Sequence, residues 1–187
     1  MTVWHLAIDW GKLETLEKVW KWVKETLTPE EINNKLLLAT DKEGNTALHL
    51  AAKAEKLELL QKLWEWADEK IITEEINELL LAVDKKGNTV WHVAAECGNL
   101  ETLQSVWEWA KEKLTAEEIK NKLLLARDKE GSTAFHLAAK GENVEILQKV
   151  WDWAKEKLTR GELNKLLLAT DKEGKTALNF ATMRENL

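Results

Sequence analysis

The sequence predicts an all-α, or nearly all-α, solenoid built of turn–helix–helix–helix modules. Three observations carry that reading. Related segments recur as TVWHLAI from Thr2, TALHLAA from Thr46, TVWHVAA from Thr89, TAFHLAA from Thr133 and TALNFAT from Thr176, with starts separated by 44, 43, 44 and 43 residues. The last four copies are preceded by DKEGN at Asp41, DKKGN at Asp84, DKEGS at Asp128 and DKEGK at Asp171. The first four are followed by a Trp-x-Trp doublet, Trp20/Trp22, Trp64/Trp66, Trp107/Trp109 and Trp151/Trp153. Self-similarity at a fixed period of this size is the mark of stacked repeats. The 187 residues are read as one array, with modules at 1–40, 41–83, 84–127 and 128–170 and a partial terminal module at 171–187.

Each module after the first begins with an Asp-Lys-Glu/Lys-Gly turn, whose glycine supplies a position where φ can be positive. The Ala-rich T-A-L-H-L-A-A run that follows reads as a short first helix able to approach a neighbouring backbone closely. Gly11, Gly98 and, one position earlier, Gly141 mark its end. The second module has Ala54-Glu55 there, a weaker stop signal.

The second helix carries the doublet. Residues two apart on a helix are separated by about 200°, so each doublet implies two apolar stripes. In the second module one stripe is Leu57, Leu60, Trp64, Ala67 and Ile71, and the other is Leu59, Leu63 and Trp66. A helix with two apolar faces is covered on both. The expected cover is the next segment, which starts with a capping-box pattern at Thr28/Glu31, Thr115/Glu118 and Thr159/Glu162. Pro29 stands at the first helical position, where a missing N–H costs nothing. The second module is one residue shorter here and reads IITEEINELLLA, with a less clear cap. This segment is expected to form a third helix of about ten residues.

Composition narrows the function. Hydrophobic residues make up 44% and charged residues 32%, a globular balance rather than a disordered one. The net charge of −6 disfavours binding to a nucleic-acid duplex, which needs a basic face. Cys97 is the single cysteine, so no intrachain disulfide can form, and its plain reading is a small helix residue. No run reaches the roughly 20 apolar residues of a membrane span, and MTVWHLAIDWGK lacks the basic start and apolar stretch of a signal peptide. The expectation is a soluble cytoplasmic protein.

The pattern D-x-x-G-x-T-x-L-H-x-A-A resembles the ankyrin repeat, in register along the whole chain. Two departures stand out. The family's proline after the threonine is replaced by Val3, Ala47, Val90, Ala134 and Ala177, and the period exceeds the family's 33 residues by about ten. Where the family ends its second helix at glycine, this chain has Val23, Ala67, Ala110 and Ala154, so that helix is expected to run on through KEKL. The resemblance implies that His5, His49, His92 and His136 bridge the threonine hydroxyl to a neighbouring loop backbone, a structural role. Asn179 takes that slot in the fifth copy.

No catalytic motif is present: there is no H-E-x-x-H, C-x-x-C, P-loop or G-x-S-x-G. Paired carboxylates such as Glu30-Glu31 are explained as first-turn acids favoured by the helix dipole. The histidines recur one module apart, too far to share a metal ion. The expectation is a non-enzyme with no cofactor and no metal, binding protein rather than nucleic acid or membrane.

The resemblance implies that a partner touches the turn tips and the exposed face of the first helix. Carried over residue by residue, the tips are Lys42, Glu43 and Asn45; Lys85, Lys86 and Asn88; and Lys129, Glu130 and Ser132. The helix positions are Trp10, Lys53, Glu96 and Lys140. Their plain reading is a solvated charged rim. Trp10 departs from it, as a large apolar residue that could anchor a partner. The alternative function is capture of an apolar ligand or partner helix by an exposed outer ladder of Trp22, Trp66, Trp109 and Trp153. Neither end carries a polar capping module, which fits a fragment of a longer array or a designed scaffold. The chain is expected to be a monomer, with an end-to-end dimer as the alternative.

Overall fold

The computed structural model describes residues 3–141 and 143–184, so Thr2 of the first motif copy and the last three residues lie outside the described residues. Among the described residues there are thirteen α-helices and no strand. They fall into two compact units, Met1–Lys85 and Lys86–Leu187.

The first unit holds α1 (Val3–Trp10), α2 (Leu13–Thr26), α3 (Pro29–Ile32), α4 (Ala47–Lys53), α5 (Leu57–Lys70) and α6 (Thr73–Leu81). α1 packs on α2 and on α4, and α4 packs on α5. The second unit holds α7 (Val90–Cys97), α8 (Leu100–Lys113), α9 (Ala116–Glu118), α10 (Ala134–Lys140), α11 (Val144–Lys157), α12 (Arg160–Leu167) and α13 (Ala177–Arg184). Here first helices stack on first helices, α7 on α10 and α10 on α13. None of the described helices is long and apolar enough to cross a membrane.

The inserted third helix exists in all four full modules. Its capping boxes close as the side chains predict. Glu31 N–H donates to Thr28 Oγ1 at 3.2 Å and Thr28 N–H donates to Glu31 Oε2 at 3.1 Å. Thr115 with Glu118 and Thr159 with Glu162 repeat the exchange. The backbone N–H and hydroxyl of Thr159, with the Lys120 ammonium, hold the Glu162 carboxyl down to about 2. α6 has Ile72 at its cap position and no side-chain cap bond.

Length alternates between modules, and the insert absorbs it. From Leu27 to Asp41 and from Leu114 to Asp128 there is one residue more than from Ile71 to Asp84 or Leu158 to Asp171. In the longer modules α3 and α9 widen into π-helical turns, Asn33–Leu37 and Ile119–Leu124. Leu38 N–H reaches five residues back to the Asn33 carbonyl at 2.8 Å, and Leu125 N–H reaches the Lys120 carbonyl at 2.9 Å. In the shorter fourth module Leu168 N–H reaches only four back, to Asn164 at 3.0 Å. A π turn is the usual way a helix houses one extra residue, and it returns the next Asp turn to register.

The first helices stop as predicted at Gly11 and Gly98, which have φ of +64° and +83°. α4 stops equally sharply without a glycine: Glu55 itself takes φ of +53°, a left-handed geometry that costs a side-chain-bearing residue about 1–2 kcal/mol.

The tryptophans correct the expected packing. Both stripes of α5 are buried apart from the half-buried Leu57, but the ring of Trp66 is covered from the preceding module. It stacks on Trp20 at 4.8 Å between centroids and 12° between planes, and meets Trp4 of α1 at 5.9 Å. The second unit repeats the triplet. Trp153 stacks on Trp107 at 4.8 Å and 16° and meets Trp91 at 5.7 Å. Within each unit, then, the second indole of a doublet closes on the ring pair of the module before it. Trp22 has no such ring pair and is 62% exposed, against 6% for Trp66. The expectation that every doublet is core therefore fails at Trp22. An open ladder fails too, because Trp66 is buried and Trp109 and Trp153 are half-buried.

The indole N–H groups of Trp4, Trp20, Trp91 and Trp107 are buried with no protein acceptor. An unmade hydrogen bond costs about 1–3 kcal/mol, whereas burying about 150–250 Å² of aromatic surface is worth roughly 4–6 kcal/mol. Burial wins, and the rings hold their places without polar anchoring.

Two outcomes follow for equilibrium chemical denaturation. Trp66→Ala is expected to cost about 3–5 kcal/mol, while the chemically identical change at Trp22 stays within about 0.5 kcal/mol. Glu55→Gly, which removes the left-handed strain, is expected to raise stability by about 1 kcal/mol, and a lowered midpoint would contradict that account of the α4 stop.

Candidate protein-interaction surface

The DKEG turns are built by their aspartates. Asp41 Oδ1 accepts the Glu43 and Asn45 backbone N–H groups, both at 2.8 Å. Asp128 and Asp171 do the same at 2.7–2.9 Å, toward Glu130 and Ser132 and toward Glu173 and Lys175. Burial opposes charge on Asp41, but the Asn45 side-chain amide and the N–H groups of Asn45 and Glu43 outweigh it and keep its carboxyl below the usual carboxylate value. The motif aspartate is therefore a turn-former rather than a chemical group.

Successive tips are stitched through their backbones within each unit. Lys85 N–H donates to the Glu43 carbonyl at 2.8 Å in the first unit. In the second, Lys129 N–H donates to the Lys86 carbonyl at 2.7 Å and Lys172 N–H to the Glu130 carbonyl at 2.8 Å. Gly44, at φ of +81°, makes the approach feasible: a Cβ there would stand 2.8 Å from the Lys85 nitrogen.

Histidine ties the first helix to this row. His49, His92 and His136 place Nδ1 2.8–2.9 Å from the hydroxyls of Thr46, Thr89 and Thr133. On the far side Nε2 reaches the carbonyl of Ala39 from His5 at 3.0 Å, of Ala126 from His92 at 3.2 Å and of Ala169 from His136 at 2.9 Å. A carbonyl only accepts, so Nε2 carries the proton and Nδ1 accepts from threonine. Burial pushes His136 below the usual imidazole value, which keeps it in this neutral form. The bridging role implied by the resemblance is what the geometry shows. Asn179 keeps the local half, accepting from Thr176 N–H at 2.8 Å and its hydroxyl at 3.0 Å.

The expected contact residues divide into two groups. Lys42, Glu43, Lys85, Lys86, Lys129 and Glu130 are exposed at the tips, and Lys53, Glu96 and Lys140 are exposed along the first helices. Trp10, at the end of α1, is 67% exposed with the Lys12 ammonium 5.8 Å from its ring. Asn45, Asn88 and Ser132 are instead buried. Correcting their assignment to the tips has a local reason, because the residue four after the turn aspartate is drawn inward. Asn45 donates its amide to Asp41 at 2.9 Å and accepts Lys53 Nζ at 3.0 Å. Those three positions shape the turn and are not available to a partner.

Four exposed apolar side chains have no counterpart among the sequence expectations. Val144, Leu168, Leu178 and Met183 are all more than half exposed in the second unit. Among the described residues, no group of three His, Cys, Asp or Glu side chains is placed to hold a metal ion.

The family described as ankyrin repeats (3 copies) matches the chain over residues 4–116, more than half its length. None of the curated proteins matches it. Ankyrin repeats generally mediate protein–protein interaction and are typically non-catalytic. The match spans the first two modules and most of the third, and the same bonds recur in the fourth: the chain belongs to the ankyrin-repeat family.

Proposed function

We propose that this chain is a non-catalytic, monomeric binding scaffold that engages a protein partner through its turn tips and first-helix ends. One observation supports this reading above the others. The tip backbones are locked by aspartate caps and by tip-to-tip hydrogen bonds, while the side chains of Lys42, Glu43, Lys85, Lys86, Lys129 and Glu130 stay exposed. A rigid backbone presenting exposed side chains binds without a large ordering cost.

With the turn aspartates counted, the row in each unit is balanced: Lys42, Lys53 and Lys85 stand with Asp41, Glu43 and Asp84 in the first, and Lys86, Lys129 and Lys140 with Glu96, Asp128 and Glu130 in the second. Such interleaved charges select a partner by complementary pairing rather than by net attraction. Trp10 supplies the apolar anchor such a row otherwise lacks.

Photo-crosslinkers placed singly at Lys42, Lys129 and Lys122 test the reading. The two tip positions are expected to capture one common protein and Lys122, on the insert, none. Lys85→Glu together with Lys129→Glu should weaken that complex about tenfold at low salt. Capture from Lys122 with no capture from the tips would overturn it.

A further inference from the structure

The second unit ends in an open groove of about 230 Å³, walled by Phe135, Val144, Leu147, Trp151, Leu167 and Leu178. Two of its walls, Phe135 and Trp151, stand at module positions that close on an indole elsewhere in the chain. Phe135 and Trp151 occupy the slots of Trp4 and Trp20 in the first module and of Trp91 and Trp107 in the third. Those two ring pairs are closed by Trp66 and Trp153, each the second tryptophan of the following second helix. The pair Phe135–Trp151 makes the corresponding tilted contact at 5.7 Å, and α13 already supplies the next first helix against α10. Among the described residues no second helix follows α13.

The burial pattern identifies the same gap independently. Leu147 is half-buried where its counterparts Leu16, Leu60 and Leu103 are fully buried, and Trp151 is half-buried where Trp20, Trp64 and Trp107 are buried. Val144 is 72% exposed and its counterparts Leu13, Leu57 and Leu100 are half-buried. Leu178 is 52% exposed, where Trp4, Leu48, Trp91 and Phe135 are buried in the same slot. Each shortfall lies where a following second helix would stand.

We propose that this groove is a docking site for an amphipathic α-helix that inserts a tryptophan, of the Leu/Val-Trp-x-Trp kind that forms this chain's own second helices. The occupant is defined by continuity with the module interface: the same rings, at the same slots, are closed by that helix in both units. The cavity lies below the roughly 300–1,000 Å³ of small-molecule sites, which suits one side chain carried on a helix rather than a free ligand. The site is separate from the tip surface and does not depend on it.

A 14-residue lactam-stapled peptide with the α5 sequence, LELLQKLWEWADEK, is the probe; the staple is needed because an isolated helix of that length is marginal. Titrated into the full chain by calorimetry, it is expected to bind saturably with one-to-one stoichiometry. Changing the peptide's second tryptophan to alanine should weaken binding about tenfold or more. Val144→Glu and Leu178→Arg, at exposed positions the fold does not need, should each abolish it while leaving the thermal melt in place. Three results would overturn the proposal: no saturable binding, binding indifferent to both groove variants, or free indole binding as tightly as the peptide. Self-association of the chain that disappears in Val144→Glu without any peptide binding would also overturn it, assigning the groove to a second copy.

Discussion

The closing of one module's second tryptophan over the ring pair of the module before it is the contact on which the rest depends. Three indoles meet in each unit, two of them near parallel at 4.8 Å and the third, from a first helix, tilted against both. Offset and tilted ring pairs add about 0.5–1.5 kcal/mol beyond the area they bury. The triplet joins three helices of two modules at one point. It thereby fixes where the second helices lie, and with them the first helices whose ends carry the proposed binding surface. Aromatic contact does this without direction from hydrogen bonds, since four of the six rings bury their N–H groups with no protein acceptor.

Polar bonding performs the complementary task on the other side of the modules. Aspartate shapes each turn, the backbone links successive tips, and histidine joins threonine at the head of the first helix to the carbonyl that precedes the next turn. These bonds require a constant register from module to module, although module length alternates. The π-helical turns at Asn33–Leu37 and Ile119–Leu124 reconcile the two demands. They place the surplus residue in the insert, where a wider turn disturbs neither the indole triplet nor the tip row.

Much of this architecture is legible in the amino-acid sequence. The motif period yields module boundaries and helix order because turn aspartate, threonine and histidine act locally, over spans of three or four residues. The capping boxes and the long second helices are legible for the same reason. What covers Trp66 is not, because the covering rings, Trp4 and Trp20, lie more than forty residues away in the chain. The burial of Asn45 and Ser132 accompanies a backbone hydrogen bond to the aspartate four residues earlier; small polar residues in that slot are the available sign, since Lys175 makes the same bond and is only half-buried. The stop of α4 at Glu55 shows the opposite case, a left-handed turn with no glycine to signal it.

Solvent exposure of each tryptophan, resolved residue by residue, tests the central contact most directly. Incorporating 5-fluorotryptophan and comparing fluorine chemical shifts in light and heavy water distinguishes wet rings from dry ones. Large isotope shifts are predicted at Trp10 and Trp22, fractional shifts at Trp109, Trp151 and Trp153, and none at Trp4, Trp20, Trp64, Trp66, Trp91 and Trp107. A shift at Trp66 as large as that at Trp22 would contradict the account, because it would leave the ring pair of the first module uncovered.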